Sequence, residues 1–168
     1  MLLATDIQYG DNTAVAAGVL FSTWVDSQCE REFTKQITGI EPYEPGSFYK
    51  RELPCIMALL ADVDIDELTA IVVDGYVVLG QEEKPGLGLY LYEAIDRAVP
   101  VIGVAKNRFA DTPEKCEVLR GSSQSPLFVT AVGMPLEIAK ADITGMHGEN
   151  RIPTLLKRVD QLCRGISV

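Results

Sequence analysis

The sequence predicts an α/β fold: a mixed sheet, antiparallel where it begins and parallel further on, with helices on its faces. Three observations predict it. The chain opens with three extended segments separated by short turns, the pattern of an antiparallel meander. Short apolar runs then recur between segments of helical periodicity, as β-α-β units require. The 168-residue length and the 47% apolar content suit one domain with a sizeable core.

Leu2 to Tyr9 reads as the first strand, and Asp11-Asn12 as the turn that ends it. The apolar run Ala14 to Val25 suits a second strand, closed by Asp26-Ser27. Cys29 to Thr38 alternates, with Cys29, Arg31, Phe33, Lys35 and Ile37 on one face, which suits a third strand. Residues 39–47 form a Pro/Gly-rich loop. From Tyr49 to Leu60 the spacing is helical, with Leu53, Ile56, Met57 and Leu60 on one face, and Pro54 lies early enough to be tolerated. Ala70 to Val73 is a buried strand, Leu87 to Ala98 a helix, and Val99 to Val104 another buried strand. Pro126 to Thr130 adds a strand, Pro135 to Ile143 a helix, and Pro153 to Arg164 a last helix. The order βββαβαβ with later additions is that of a ribonuclease-H-like fold. No repeat, low-complexity tract or linker divides residues 1–168.

Composition excludes several functions. No apolar run reaches the roughly 20 residues of a membrane helix, and the N-terminus has no signal-peptide pattern. Cys29, Cys55, Cys116 and Cys163 are widely spaced, and His147 is the only histidine, which argues against a zinc site and for reduced thiols in a cytoplasmic protein. The net charge of −9 requires any nucleic-acid contact to be local. The acids of Asp62-Val63-Asp64-Ile65-Asp66-Glu67 lack the glycine and distal glutamate of a calcium loop and read as a solvated connection. Gly86-Leu87-Gly88 reads as loop and packing glycine.

Three carboxylates carry the chemistry. Asp6 lies in the first strand, Glu52 in the first helix, and Asp74 closes Ile71-Val72-Val73 ahead of Gly75. By spacing alone, Asp6 and Asp74 are ordinary strand-end residues and Glu52 an exposed helix acid. The architecture changes that reading. It puts Asp6 on the central strand, Asp74 at the end of its neighbour, and Glu52 over the same edge. Carboxylates gathered there repel one another, and a divalent cation relieves the repulsion. The expectation is a Mg²⁺ site for phosphodiester chemistry.

Several stretches, in order, resemble the endonuclease V family, whose members act at deaminated adenine (inosine). They are Ala4-Thr5-Asp6-Ile7, the wedge Pro42-Tyr43-Glu44-Pro45-Gly46 running through Phe48 into Arg51-Glu52, Val72-Val73-Asp74-Gly75, and Pro100-Val101-Ile102-Gly103-Val104-Ala105-Lys106. Ser125 to Val129 and Arg151-Ile152-Pro153, followed by Asp160, continue the likeness. The resemblance implies that Asp6, Glu52 and Asp74 hold Mg²⁺, with Mn²⁺ as a substitute, and that Asp160 adds a carboxylate. It implies that Lys106 meets the scissile phosphate, that Tyr43 wedges into the duplex, and that Gly46, Phe48 and Gly75 line a base pocket. The partner is DNA or RNA. The chain departs from the family after Asp74-Gly75: Tyr76-Val77 and a loop to Gly86 replace a second glycine and His-Pro-Arg. It also has no helical segment ahead of Asp6, and a shorter stretch between Lys106 and Pro126. These departures and the acidic charge define the alternative, a catalytically impaired or repurposed relative that binds nucleic acid or a protein. A phosphodiesterase for small nucleotides is a third reading.

Overall fold

The computed structural model describes residues 1–166. Strands β1 (Leu2–Tyr9), β2 (Thr13–Phe21) and β3 (Arg31–Thr38) form the meander, and helix α1 (Tyr49–Leu60) follows. β4 (Ala70–Asp74) leads into a two-stranded hairpin of β5 (Val78–Leu79) and β6 (Lys84–Pro85), then into α2 (Leu87–Ala94). β7 (Val101–Ala105), the short β8 (Glu117–Val118) and β9 (Leu127–Val132) complete the main sheet, and α3 (Leu136–Gly145) and α4 (Thr154–Cys163) end the fold. The seven strands run in the order β3-β2-β1-β4-β7-β9-β8. β4 is parallel to β1 and to β7, while β9 is antiparallel to β7. The sheet is mixed, ribonuclease-H-like and flanked by helices.

Strand alternation sorts the side chains onto the two faces of the sheet. Leu2, Ala4, Ala70, Val72, Ile102 and Val104 pack with Ile143 of α3 and with Leu155 and Val159 of α4. Leu3, Ile71, Val73 and Val101 pack on the other face with Ile56 and Leu60 of α1 and Leu91 of α2. β1, β4 and β7 are thus covered on both sides, which is why their sequences read as apolar runs.

Several element ends differ from expectation. β2 stops at Phe21 rather than Val25, because the Asp26 carboxylate accepts hydrogen bonds from Ser22 N–H, Thr23 N–H and Thr23 Oγ1 and closes a turn. β3 starts at Arg31, not Cys29. α2 ends at Ala94, and Asp96 and Arg97 follow with φ of 54° and 61°. β9 returns antiparallel because the 106–126 connection holds one 3₁₀ turn (Glu114–Cys116) and the short β8 but no α-helix, too little for a parallel crossover. Asp64 accepts from Asp66 N–H in another 3₁₀ turn, so that acidic stretch is a connection, as expected. Among the described residues no helix is long and apolar enough to cross a membrane.

Candidate active site

Sheet register brings the site together. Thr5 pairs with Val73, which sets Asp6 level with Asp74, and Asp74 pairs with Val104, two residues before Lys106. By alternation, Asp6, Asp74 and Lys106 all point to the α4 face. There they border a recess floored by Val72, Val104, Leu127 and Val159. Asp160 of α4 faces the same point: Lys106 Nζ lies 3.4 Å from Asp74 Oδ2 and 3.7 Å from Asp160 Oδ1. Arg164 also reaches Asp160 Oδ1, at 3.1 Å. Glu52 arrives from α1, on the opposite face. Its helix is tied to the end of β1 by Arg51, whose guanidinium stacks 4.2 Å from the centre of the Tyr9 ring.

The electrostatics show how crowded these acids are. Asp6 is pushed up to about 7, first by burial and then by the Asp74 carboxylate; Lys106 and the Ile7 N–H oppose the shift. Glu52 is also pushed up to about 7, by burial and then by Asp74 and Asp6. Burial works against the charge on Lys106, yet Asp74, Asp6 and Asp160 together hold its pKa above the ordinary value. The Cys163 thiol, buried beside Asp6 and Asp160, is pushed up to about 12. Glu52, Asp6, Asp74 and Asp160 therefore share one field, with Lys106 as the cation within it. Among the described residues no three His, Cys, Asp or Glu side chains already stand at metal-binding separations.

The loop after Asp74 is held by contacts that the sequence does not announce. Gly103 of β7 lets it cross at close range: a Cβ there would come within 2.5 Å of Gly75 O and 2.8 Å of Val77 N. Val77 N–H donates to Thr130 Oγ1 at 2.8 Å. The Val77 side chain is fully buried and presses on Gly88, so it turns into the core and away from the surface. Gly88 is the packing glycine expected of its segment. The Tyr76 hydroxyl donates to Asn107 O (2.8 Å) and accepts from Phe109 N–H (3.0 Å), which fastens the segment after Lys106.

The remaining predicted residues are placed less centrally. Tyr43 and Phe48 lie edge-to-face with ring centres 5.2 Å apart, and both are more than half exposed. Neither borders the Asp6 recess, nor does Gly46, which turns the loop with φ of 80°. Gly75 adjoins Asp74 with φ of 138° and open space where a side chain would stand. Arg151 opens the Arg151-Ile152-Pro153 stretch ahead of α4. Its Nη2 donates to the backbone carbonyls of Lys106 and Pro126, fixing the end of β7. His147 is structural, its Nδ1 meeting Thr154 Oγ1 at 2.9 Å at the start of α4.

Comparison with known proteins identifies relatives in sequence and in fold. Endonuclease V of Streptomyces avermitilis is 30% identical over 183 aligned residues, covering 95% of this chain and 77% of its own length. Endonuclease V of Pyrococcus horikoshii is 28% identical over 163 residues, covering 96% of this chain and 72% of that protein. The crystal structure of human ENDOV has a similar fold, with a TM-score of 0.74 at 22% identity, covering 98% of this chain and 82% of that one. So does Ciona intestinalis endonuclease V in complex with a 24mer DNA containing an inosine followed by a ribo-adenosine (TM-score 0.76, 20% identity, 98% and 84% covered). The sequence model of the Endonuclease V family matches residues 1–142, a span that runs from β1 through most of α3 and includes Asp6, Glu52, Asp74 and Lys106. By that match the chain belongs to the endonuclease V family.

Proposed function

We propose that this protein is a Mg²⁺-dependent endonuclease that hydrolyses a phosphodiester bond near inosine in DNA or RNA, and that Mn²⁺ can replace Mg²⁺. The observation that carries the reading is the convergence of Asp6, Asp74 and Asp160 on Lys106 at one edge of the sheet, with Glu52 near enough to Asp74 and Asp6 to feel their charge. The donor set fits the metal: all four are hard carboxylate oxygens, and two, Asp6 and Glu52, are half-buried at a cost visible in their raised pKa values. Mg²⁺ keeps several waters and takes one or two carboxylates, so a preformed cage is not required. Asp6, Glu52 and Asp74 would hold the ion, with Asp160 as the further carboxylate. When bound, it would lower the pKa of a water and offset charge on the scissile phosphate.

The chain's own groups do the rest. Lys106 is held by Asp74 and Asp160 and would turn its ammonium to a non-bridging phosphate oxygen. Tyr43 is exposed at a loop tip and would insert at the lesion as an aromatic wedge, with unstacking costing a few kcal/mol. Gly46, Phe48 and Gly75 would border the extruded base. Gly75 leaves room for close approach, and the inward Val77 does not obstruct it. The Ciona relative was captured on inosine-containing DNA, which supports the same substrate class here. The four free cysteines, three of them buried, suit a reducing, cytoplasmic setting.

The test is cleavage of matched inosine-containing and unmodified oligonucleotides, single- and double-stranded, DNA and RNA, with Mg²⁺ or Mn²⁺ against EDTA. Metal-dependent cutting beside inosine is expected. Cutting without preference for inosine would leave the nuclease centre and remove the base reader. No cutting in any arm would favour the impaired relative, for which the loss of His-Pro-Arg after Gly75 is the specific observation. Asp74→Ala is expected to abolish cleavage while circular dichroism stays that of the folded protein. Undiminished cutting by that variant would put the activity elsewhere.

A further inference from the structure

We propose that the cleft beside α4, lined by Lys106, Ser122, Asn150, Arg151, Lys157 and Arg164, carries the phosphodiester backbone of the strand being cut, with Lys157 as its free cation. The inference rests on the nuclease reading and extends it from the point of cutting to the path of the strand.

The distribution of charge points there. The chain has 24 acidic and 15 basic side chains, so free cations are scarce. Among the described residues, ten Lys and Arg side chains pair with carboxylates. Of the five others, Arg31 and Arg51 lie over the Phe33 and Tyr9 rings, and Arg120 is buried on backbone carbonyls. The two that remain, Arg151 and Lys157, both line this cleft. Arg151 bridges the Lys106 and Pro126 carbonyls. Lys157 is exposed, and its ammonium has no hydrogen-bond or ion-pair partner among the described residues. Glu149 and Asp160 are the acids of the same cleft, and Asp160 is already matched by Lys106 and Arg164.

Position gives the cleft its meaning. It shares Lys106 and Asp160 with the site, so a chain lying on the carboxylates can continue into it. α4 packs on one face of the sheet, and α1, which follows the Tyr43 loop in sequence, packs on the other. A strand wedged by Tyr43 and cut at Asp6 and Asp74 therefore leaves across the sheet edge toward α4. A mononucleotide would fill the site alone; a cation beyond it serves a polymer.

The experiment measures fluorescence anisotropy of labelled 20-mers, with and without inosine, in Ca²⁺ to prevent cleavage, across 50–300 mM KCl. Lys157→Ala is expected to weaken binding about three- to tenfold at low salt and to flatten the slope of log Kd against log salt by about 0.7–0.9. Lys157→Glu should weaken it further. Lys84→Ala, which removes an exposed lysine paired with Glu82 in the hairpin, should leave binding unchanged. Affinity for inosine monophosphate should be the same in every variant. Wild-type affinity and slope in both Lys157 variants would overturn the path and leave the nuclease reading standing. An equal loss for the mononucleotide would put Lys157 in the cutting site and also overturn it. A wild-type protein that binds no oligonucleotide would overturn both.

Discussion

At Asp6, burial and the adjacent Asp74 make ionisation costly, with the pKa pushed up to about 7 against an ordinary value of 3.8. The sign follows from linkage. The neutral acid favours the folded state fully below the unfolded pKa, and that advantage is lost as pH rises toward 7. Asp6→Asn never ionises, so it should melt above the wild type at pH 8, and the gap should close by about pH 4. Thermal melts in EDTA across that range would check it; a gap independent of pH would mean that Asp6 does not titrate as described. Glu52→Gln should behave in the same direction, since its shift has the same leading cause. Such a stability gain accompanied by lost cleavage is the expected trade at a functional site.

Elements hold these side chains by contacts that are easy to overlook. Gly103 is the clearest, because β7 must pass under the Gly75–Val77 turn with no room for a methyl group. Gly103→Ala should destabilise by about 1–3 kcal/mol and, by shifting the turn that carries Asp74, lower kcat more than it raises KM. A variant as active as wild type would show that the turn adjusts freely. Arg120 does comparable work on the other face. Its buried guanidinium donates to the carbonyls of Thr144, Met146, Gly148, Asn150 and Arg151, knitting the α3–α4 connection. Arg120→Met strands the buried Met146 carbonyl and several partly buried ones and should cost about 3 kcal/mol, a Tm drop of roughly 6–12 °C at this chain length. Differential scanning calorimetry measures it directly, and an unchanged Tm would show that water satisfies those carbonyls.

The whole molecule is acidic, and part of that acidity is concentrated where a cation is expected. Mg²⁺ should therefore raise the melting temperature, by the equivalent of about 2.7 kcal/mol at a hundredfold excess over Kd. The increase should be larger at pH 8 than at pH 5.5, because protons compete for Asp6 and Glu52 below about 7. Asp74→Ala should shrink it. Melts in Mg²⁺ against a matched Na⁺ control separate specific binding from screening, and equal shifts in the two salts would argue against a specific site.

Period and punctuation in the sequence determined the meander, α1, the buried strands β4 and β7, and the last two helices, because those signals are local. Motif order determined the family and the roles expected of Asp6, Glu52, Asp74 and Lys106. Local patterns could not say that β9 runs antiparallel to β7, since strand direction depends on where a connection without a helix can return. Nor could they show that Val77 turns inward, that Gly103 clears the site turn, or that Arg120 and Arg151 spend their hydrogen bonds on distant carbonyls. Register decided the meeting of Asp6, Asp74 and Lys106 on one face. Only the tertiary structure decided that α4 brings Asp160 and Lys157 to the same edge, because contacts between residues far apart in the chain have no periodic signature within it.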